Sequence, residues 1–232
     1  MKRILTGVAA LAVFALAATP SFAANPVRIS QVYGGGGSAT AGPTYNKDYV
    51  EIFNSSASAV DISSWTIEYG SATGSWGSSG TNIFTFPANT FIQPCSYVLV
   101  ASTTASAGGG NLPVTPDFNF LIAASATSGK VALFNAVNTN KACGSEIAGT
   151  LVDKVAFGPT ATCGEVGPTG VLSTTTGAVR NNGGIDDTDN NPNDFTVTTA
   201  PVPRNSASPQ NAACLPVPAQ PTTWGNLKSI YR

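Results

Sequence analysis

The sequence predicts an all-β fold, a two-sheet β-sandwich with long loops, on three observations. Its 24 Gly and 16 Pro leave little room for long helices. Its apolar residues fall in short runs of strand character bounded by turn residues. Within one of these runs the alternation is clean: Trp65, Ile67 and Tyr69 are expected to face the core, with Thr66 and Glu68 facing out.

In chain order, strands are expected at 27–33, 48–54, 64–69, 82–86, 97–101, 130–135 and 151–157, with weaker candidates at 118–122 and 195–198. Seven to nine short antiparallel strands suit two packed sheets. The domain is longer than a plain sandwich of roughly 100 residues. The excess lies in loops at 34–46, 70–81, 102–117 and 159–194.

The expected organisation has four parts. Residues 1–23 read as a signal peptide: Lys2 and Arg3 lead, an apolar run follows to Ala18, and Ser21-Phe-Ala23 offers a small-x-small cleavage site. That apolar run is too short to span a bilayer, and no later transmembrane segment is expected. The sandwich occupies 24–214, a Pro-rich linker 215–221 and a distinct C-terminal peptide 222–232. In that last peptide Trp224, Leu227, Ile230 and Tyr231 share a helical face opposite Lys228 and Arg232, which fits either a sorting or docking peptide or a frayed terminus.

Charge and residue types exclude several functions. Only 10% of residues are charged, and without Lys2 and Arg3 nine basic residues face twelve acidic ones. With no basic cluster, no nucleic-acid partner is expected. The chain has no histidine, which removes Ser-His-Asp and Cys-His catalysis and histidine metal ligation together. Paired carboxylates of the glycosidase kind survive this exclusion, with Asp48, Glu51, Glu68 and Asp153 as the acids on or near strands. Glu51 shares a strand face with Tyr49 and Phe53, which favours a buried, hydrogen-bonded structural role.

Four cysteines in an exported chain suggest two disulfides, and the absence of a C-x-x-C pair argues against zinc. The favoured pairing is Cys143 with Cys163, flanking the 151–157 strand, and Cys95 with Cys214, tying the end of the domain to its middle.

The segments RISQVYGGGG (28–37), DYVEIFN (48–54) and VDISSWTIEY (60–69) resemble the opening of bacterial lamin-tail domains. YVLV (97–100), KVALF (130–134), VDKVAFG (152–158), DTDNN (187–191), Asp194-Phe195 and PRNS (203–206) continue the resemblance in order. It implies an immunoglobulin-like sandwich of secreted or surface proteins, sometimes found beside extracellular nuclease domains, and little chemistry. In two places the chain departs from the family pattern: Ile185 stands where a cysteine often precedes the Asp-rich loop, and Cys95 is extra.

Three loops are candidate sites. Asp187, Asp189, Asn191 and Asn193 alternate and would converge on a calcium ion. They do not form an EF-hand, since Pro192 replaces its Gly and Thr198 its Glu, and a set of Asx-turns is the favoured reading of them. Trp76, in a Gly/Ser loop, is a candidate exposed indole for a sugar or protein partner, flanked by Tyr33 and Tyr45; its other role would be to plug the sandwich end. The Gly34–Gly37 run lacks the Lys-Ser/Thr of a phosphate loop and reads as a flexible connection.

The expected function is therefore a secreted, non-catalytic module at the cell surface or in the medium, with the periplasm as the other location. Its partner would be an extracellular protein or carbohydrate, no cofactor is required beyond the calcium considered above, and nothing specifies an oligomeric state. The alternatives are a structural subunit of a surface assembly and a carboxylate- or metal-dependent hydrolase or nuclease-associated protein.

Overall fold

The computed structural model describes residues 25–38, 42–78 and 80–216. The expected signal peptide, the linker beyond Pro216 and the 222–232 peptide lie outside the described residues. Among the described residues twelve strands form: β1 (Val27–Tyr33), β2 (Tyr49–Asn54), β3 (Val60–Asp61), β4 (Thr66–Ser71), β5 (Ile83–Thr85), β6 (Phe91–Ile92), β7 (Tyr97–Ser102), β8 (Phe118–Phe120), β9 (Gly129–Phe134), β10 (Leu151–Phe157), β11 (Thr176–Arg180) and β12 (Phe195–Thr199). Two one-turn helices, α1 (Asn181–Gly184) and α2 (Asn191–Asp194), separate β11 from β12.

A six-stranded sheet in the order β12-β11-β1-β2-β7-β8 faces a four-stranded sheet in the order β10-β9-β4-β5, and β3 pairs with β6 as a small ribbon. The β7–β8 pair is parallel, not antiparallel as expected, because the 103–117 loop carries the chain back along the sheet edge before β8 begins. The inter-sheet core follows the two-residue period: Val50 and Ile52, Val98 and Val100, Ile67 and Tyr69, Val131 and Leu133, Val155 and Phe157. In β1 the register slips between Ile29 and Gln31, so Ile29 and Val32 both reach the core despite odd spacing.

Both outer faces are covered as well. Thr66 and Glu68, expected at the surface, are buried, because the loops around Trp76 and Lys141 fold over the outer face of the four-stranded sheet. There Glu68 accepts a 2.6 Å hydrogen bond from Lys141 Nζ. On the other side, the segment from Pro201 to Cys214 lies over the six-stranded sheet, where Glu51, Tyr49 and Phe53 are fully buried. Alternation told which face a residue takes; it did not tell that each face has a cover.

Two disulfides, Cys95–Cys214 and Cys143–Cys163, hold these covers, with the pairing favoured from the sequence. Among the described residues no helix is long and apolar enough to cross a membrane.

Candidate functional site

A cavity lies at the end of the sandwich where β1, β7 and β8 terminate. It has a volume of about 800 Å³ and is walled by Gly34, Gly36–Ser38, Ser102–Ser106 and Leu121–Ala126. Asp48 stitches two of these walls together, accepting from Gly36 N at 2.8 Å and from Ala124 N at 3.0 Å. Burial pushes its carboxyl up to about 6, and the backbone N–H donors oppose that rise. Tyr69 Oη closes the floor by accepting from Ser125 N.

The glycine run beside it is not the flexible connection expected. Gly34 to Gly36 are buried, and a Cβ on Gly36 would stand 2.1 Å from the Lys47 carbonyl carbon. Glycine is needed there for close backbone approach, and the wall it forms is packed. Leu121, 55% exposed, stands on the rim.

The Asp-rich loop does not bring Asp187, Asp189, Asn191 and Asn193 together. Asp187 accepts from Arg180 Nη1 at 2.9 Å. Asp189 and Asn193 are exposed, Asp189 at φ 53. Asn191 turns inward: its Nδ2 donates to Lys154 O and Glu165 Oε2, and its Oδ1 accepts from Ala156 N and Glu165 N. The residue that shapes the loop is Asp194, which accepts from Thr188 N, Thr188 Oγ1 and Asn190 N. These bonds reach back four to six residues or across the fold, so they are not the local Asx-turns expected, and they point the four expected ligands in different directions.

A different acidic group does converge. Carboxylate oxygens of Asp153, Glu165 and Asp187 lie within 4.8 Å of one another. Their setting follows from the β1 bulge. Ile29 has no ladder partner on the β11 side, so its N–H donates to Asp153 Oδ2 at 2.6 Å and its C=O accepts from Arg180 Nε at 2.7 Å. Arg180, fully buried, also donates from Nη2 to Asp153 Oδ2 at 2.7 Å. Burial first, then the neighbouring Asp153 charge, pushes Glu165 up to about 8. Sequence reasoning missed Glu165 and Arg180, which sit in no motif and meet only through tertiary packing.

Trp76 is not an exposed indole. It is completely buried against Phe134 and Ala132 on the outer face of the four-stranded sheet, and its Nε1 donates to Glu146 Oε1 at 2.7 Å. Lys130 Nζ lies 5.4 Å from its ring centroid. A loop of Gly and Ser can fold back tightly, and burying one indole outweighs displaying it.

Tyr33 and Tyr45 do meet, edge to face at 5.7 Å, but on the outer face of the other sheet. Tyr33 is buried and donates to Thr174 O; Tyr45, half-buried, donates to Pro201 O. The pair is part of the packing under the C-terminal cover, away from Trp76. The acids considered for paired-carboxylate chemistry are also dispersed: Asp48 at the cavity, Glu51 and Glu68 on opposite outer faces, Asp153 beside Arg180.

A model of the Lamin Tail Domain family matches residues 20–159. Among solved structures, the chain is similar to a DUF4876 family protein from Bacteroides thetaiotaomicron VPI-5482, with a TM-score of 0.55 and 14% identity, covering 82% of this chain and 75% of that one. At that identity the likeness is one of fold. No curated protein matches. The family match spans more than half of the chain, from before β1 through β10, and its sandwich carries the cavity and both buried faces: the protein belongs to the lamin tail domain family.

Proposed function

We propose that the protein is a secreted, non-catalytic interaction module that binds an extracellular protein or carbohydrate in the cavity at the Gly34–Ser38 end. The cavity carries this reading. It is large enough for a sugar or a peptide side-chain cluster. Its walls offer backbone, alanine methyls and the hydroxyls of Ser102, Thr103, Thr104 and Ser106, with Leu121 as an apolar rim. The one carboxylate in it, Asp48, has both oxygens engaged by backbone amides, which suits holding a shape more than moving a proton. Binding loops gathered at one end of a rigid sandwich are a recurrent arrangement. Two disulfides support an oxidising compartment.

The test is binding of the purified mature chain to glycan and extracellular-protein arrays, beside an Ala105→Arg variant that fills the cavity. Binding by the wild type that the variant loses supports the reading. A ligand bound equally by both, or turnover of a polysaccharide or nucleic acid that Asp187→Asn abolishes, sinks it.

A further inference from the structure

We propose that Asp153, Glu165 and Asp187 form a calcium site, distinct from the alternating set in the Asp-rich loop. One buried carboxylate oxygen is left over. Asp153 is 3% exposed; its Oδ2 serves Ile29 N and Arg180 Nη2, while its Oδ1 is buried with no hydrogen-bond partner. A buried carboxylate oxygen without a donor is costly, so an electropositive occupant is expected beside it. A second side-chain oxygen in the adjoining loop, Asn190 Oδ1, is also buried without a partner.

Charge calls for the same occupant. With Glu165 ionised, Asp153, Glu165, Asp187 and Asp194 around two guanidiniums, Arg28 and Arg180, leave two negative charges for one divalent cation to cancel; with no cation bound, a proton on Glu165 takes over part of that role. The arginines do not use up the ligand atoms. Arg180 engages Oδ2 of Asp153 and Oδ1 of Asp187, and Arg28 Nη1 stands 3.6 Å from Oδ2 of Asp187, beyond hydrogen-bond range; Oδ1 of Asp153 is left without a partner, and Asn191 engages only Oε2 of Glu165.

Ligand chemistry selects the ion. The converging atoms are all carboxylate oxygens, which suit a hard divalent cation, and calcium's flexible coordination tolerates an irregular protein-built set that magnesium's near-ideal octahedron does not. Glu165 and Asp187 are each partly exposed, which opens the site to solvent.

The test is thermal melting and calorimetry of chelator-treated protein with CaCl2 or MgCl2, beside Glu165→Gln. Glutamine keeps an acceptor for Asn191 and removes the anionic ligand. Extracellular calcium modules bind at roughly 10⁻⁴–10⁻³ M. At 10 mM calcium this predicts a rise in Tm of about 3–11 °C for a domain of this size, with a smaller rise in magnesium. Loss of the calcium shift in Glu165→Gln supports the site. No calcium shift in the wild type overturns the proposal, whatever the variant does, and leaves a proton between Asp153 and Glu165 as the occupant. An equal shift in both proteins places calcium elsewhere and overturns it too.

Discussion

Arg204 and Glu51, 153 residues apart in the chain, form the ion pair that fastens the C-terminal segment to the sandwich, with Nη2 2.7 Å from Oε1. The Arg204 backbone N–H donates to the other carboxylate oxygen at 2.6 Å, and the guanidinium lies 3.7 Å from the Tyr97 ring centroid. Glu51 is fully buried and also accepts from Ser30 Oγ and Gln31 Nε2. The pair is thus the centre of a network that lets a polar strand face be covered.

Removing one partner should cost far more than a surface pair would. Arg204→Ala leaves a buried carboxylate without its counter-charge, so a loss of about 3–5 kcal/mol is expected in urea denaturation. A loss under about 1 kcal/mol, the range of exposed pairs, would mean that the segment is not docked in solution.

How far the sequence revealed this arrangement differs between its two ends. The strands 27–33 and 151–157 coincide with β1 and β10, because apolar residues recur through both segments between turn-forming neighbours. β11 escaped notice because Thr-Gly-Ala-Val-Arg is short, carries Gly177 and lies inside a long polar loop. Burial of Glu51 was legible from its strand partners Tyr49 and Phe53. Its counter-ion was not, since no local pattern ties residue 51 to residue 204. Trp76 was left between display and folding back for a related reason: composition marks a loop and says nothing of where the loop folds. The cavity was invisible too, since its walls come from three separate connections.

Trp76→Ala should act on stability. The indole is wholly buried with its N–H bonded to Glu146, so truncation leaves a cavity and removes one of the two donors to Glu146 Oε1, the other being Gly144 N. A cost of about 3–5 kcal/mol is expected, with ligand binding at the far cavity unchanged when measured below the melting transition. Unchanged stability would return Trp76 to the surface.

The two disulfides should differ in weight. Cys95–Cys214 closes 119 residues and Cys143–Cys163 closes 20. Chain-entropy arguments give about 4–5 kcal/mol for the first and about 3 kcal/mol for the second. Paired Cys→Ala variants, melted side by side, measure both; a larger loss on removing Cys143–Cys163 would contradict the ordering.

Asp48 predicts a pH dependence with a definite sign. Its folded value of about 6 lies above the roughly 3.9 of an unfolded aspartate, so the folded state binds the proton more tightly. Its contribution is therefore full below pH ~4 and is lost as pH rises through ~6, a fall of about 2–3 kcal/mol. Asp48→Asn should flatten the stability profile in this window relative to wild type. An identical slope in both proteins would assign the dependence to other carboxyls.

Asn191 carries the last prediction, because it closes an open sheet edge. β10 is the outermost strand of the four-stranded sheet, and its Lys154 C=O and Ala156 N–H point outward. The amide of Asn191 bonds both, in the manner of a neighbouring strand, while Thr169 N donates to Ala156 O. An uncovered edge of this kind invites pairing with another chain. Asn191→Ala leaves buried backbone groups without partners, so a loss of on the order of 2–4 kcal/mol is expected, together with faster hydrogen exchange at Ala156 and association that grows with protein concentration. Asn191→Asp keeps the acceptor for Ala156 N but sets a negative charge against Lys154 O and Glu165, so it should be no better than alanine. Wild-type protection at Ala156 in both variants would show that another element holds the edge shut.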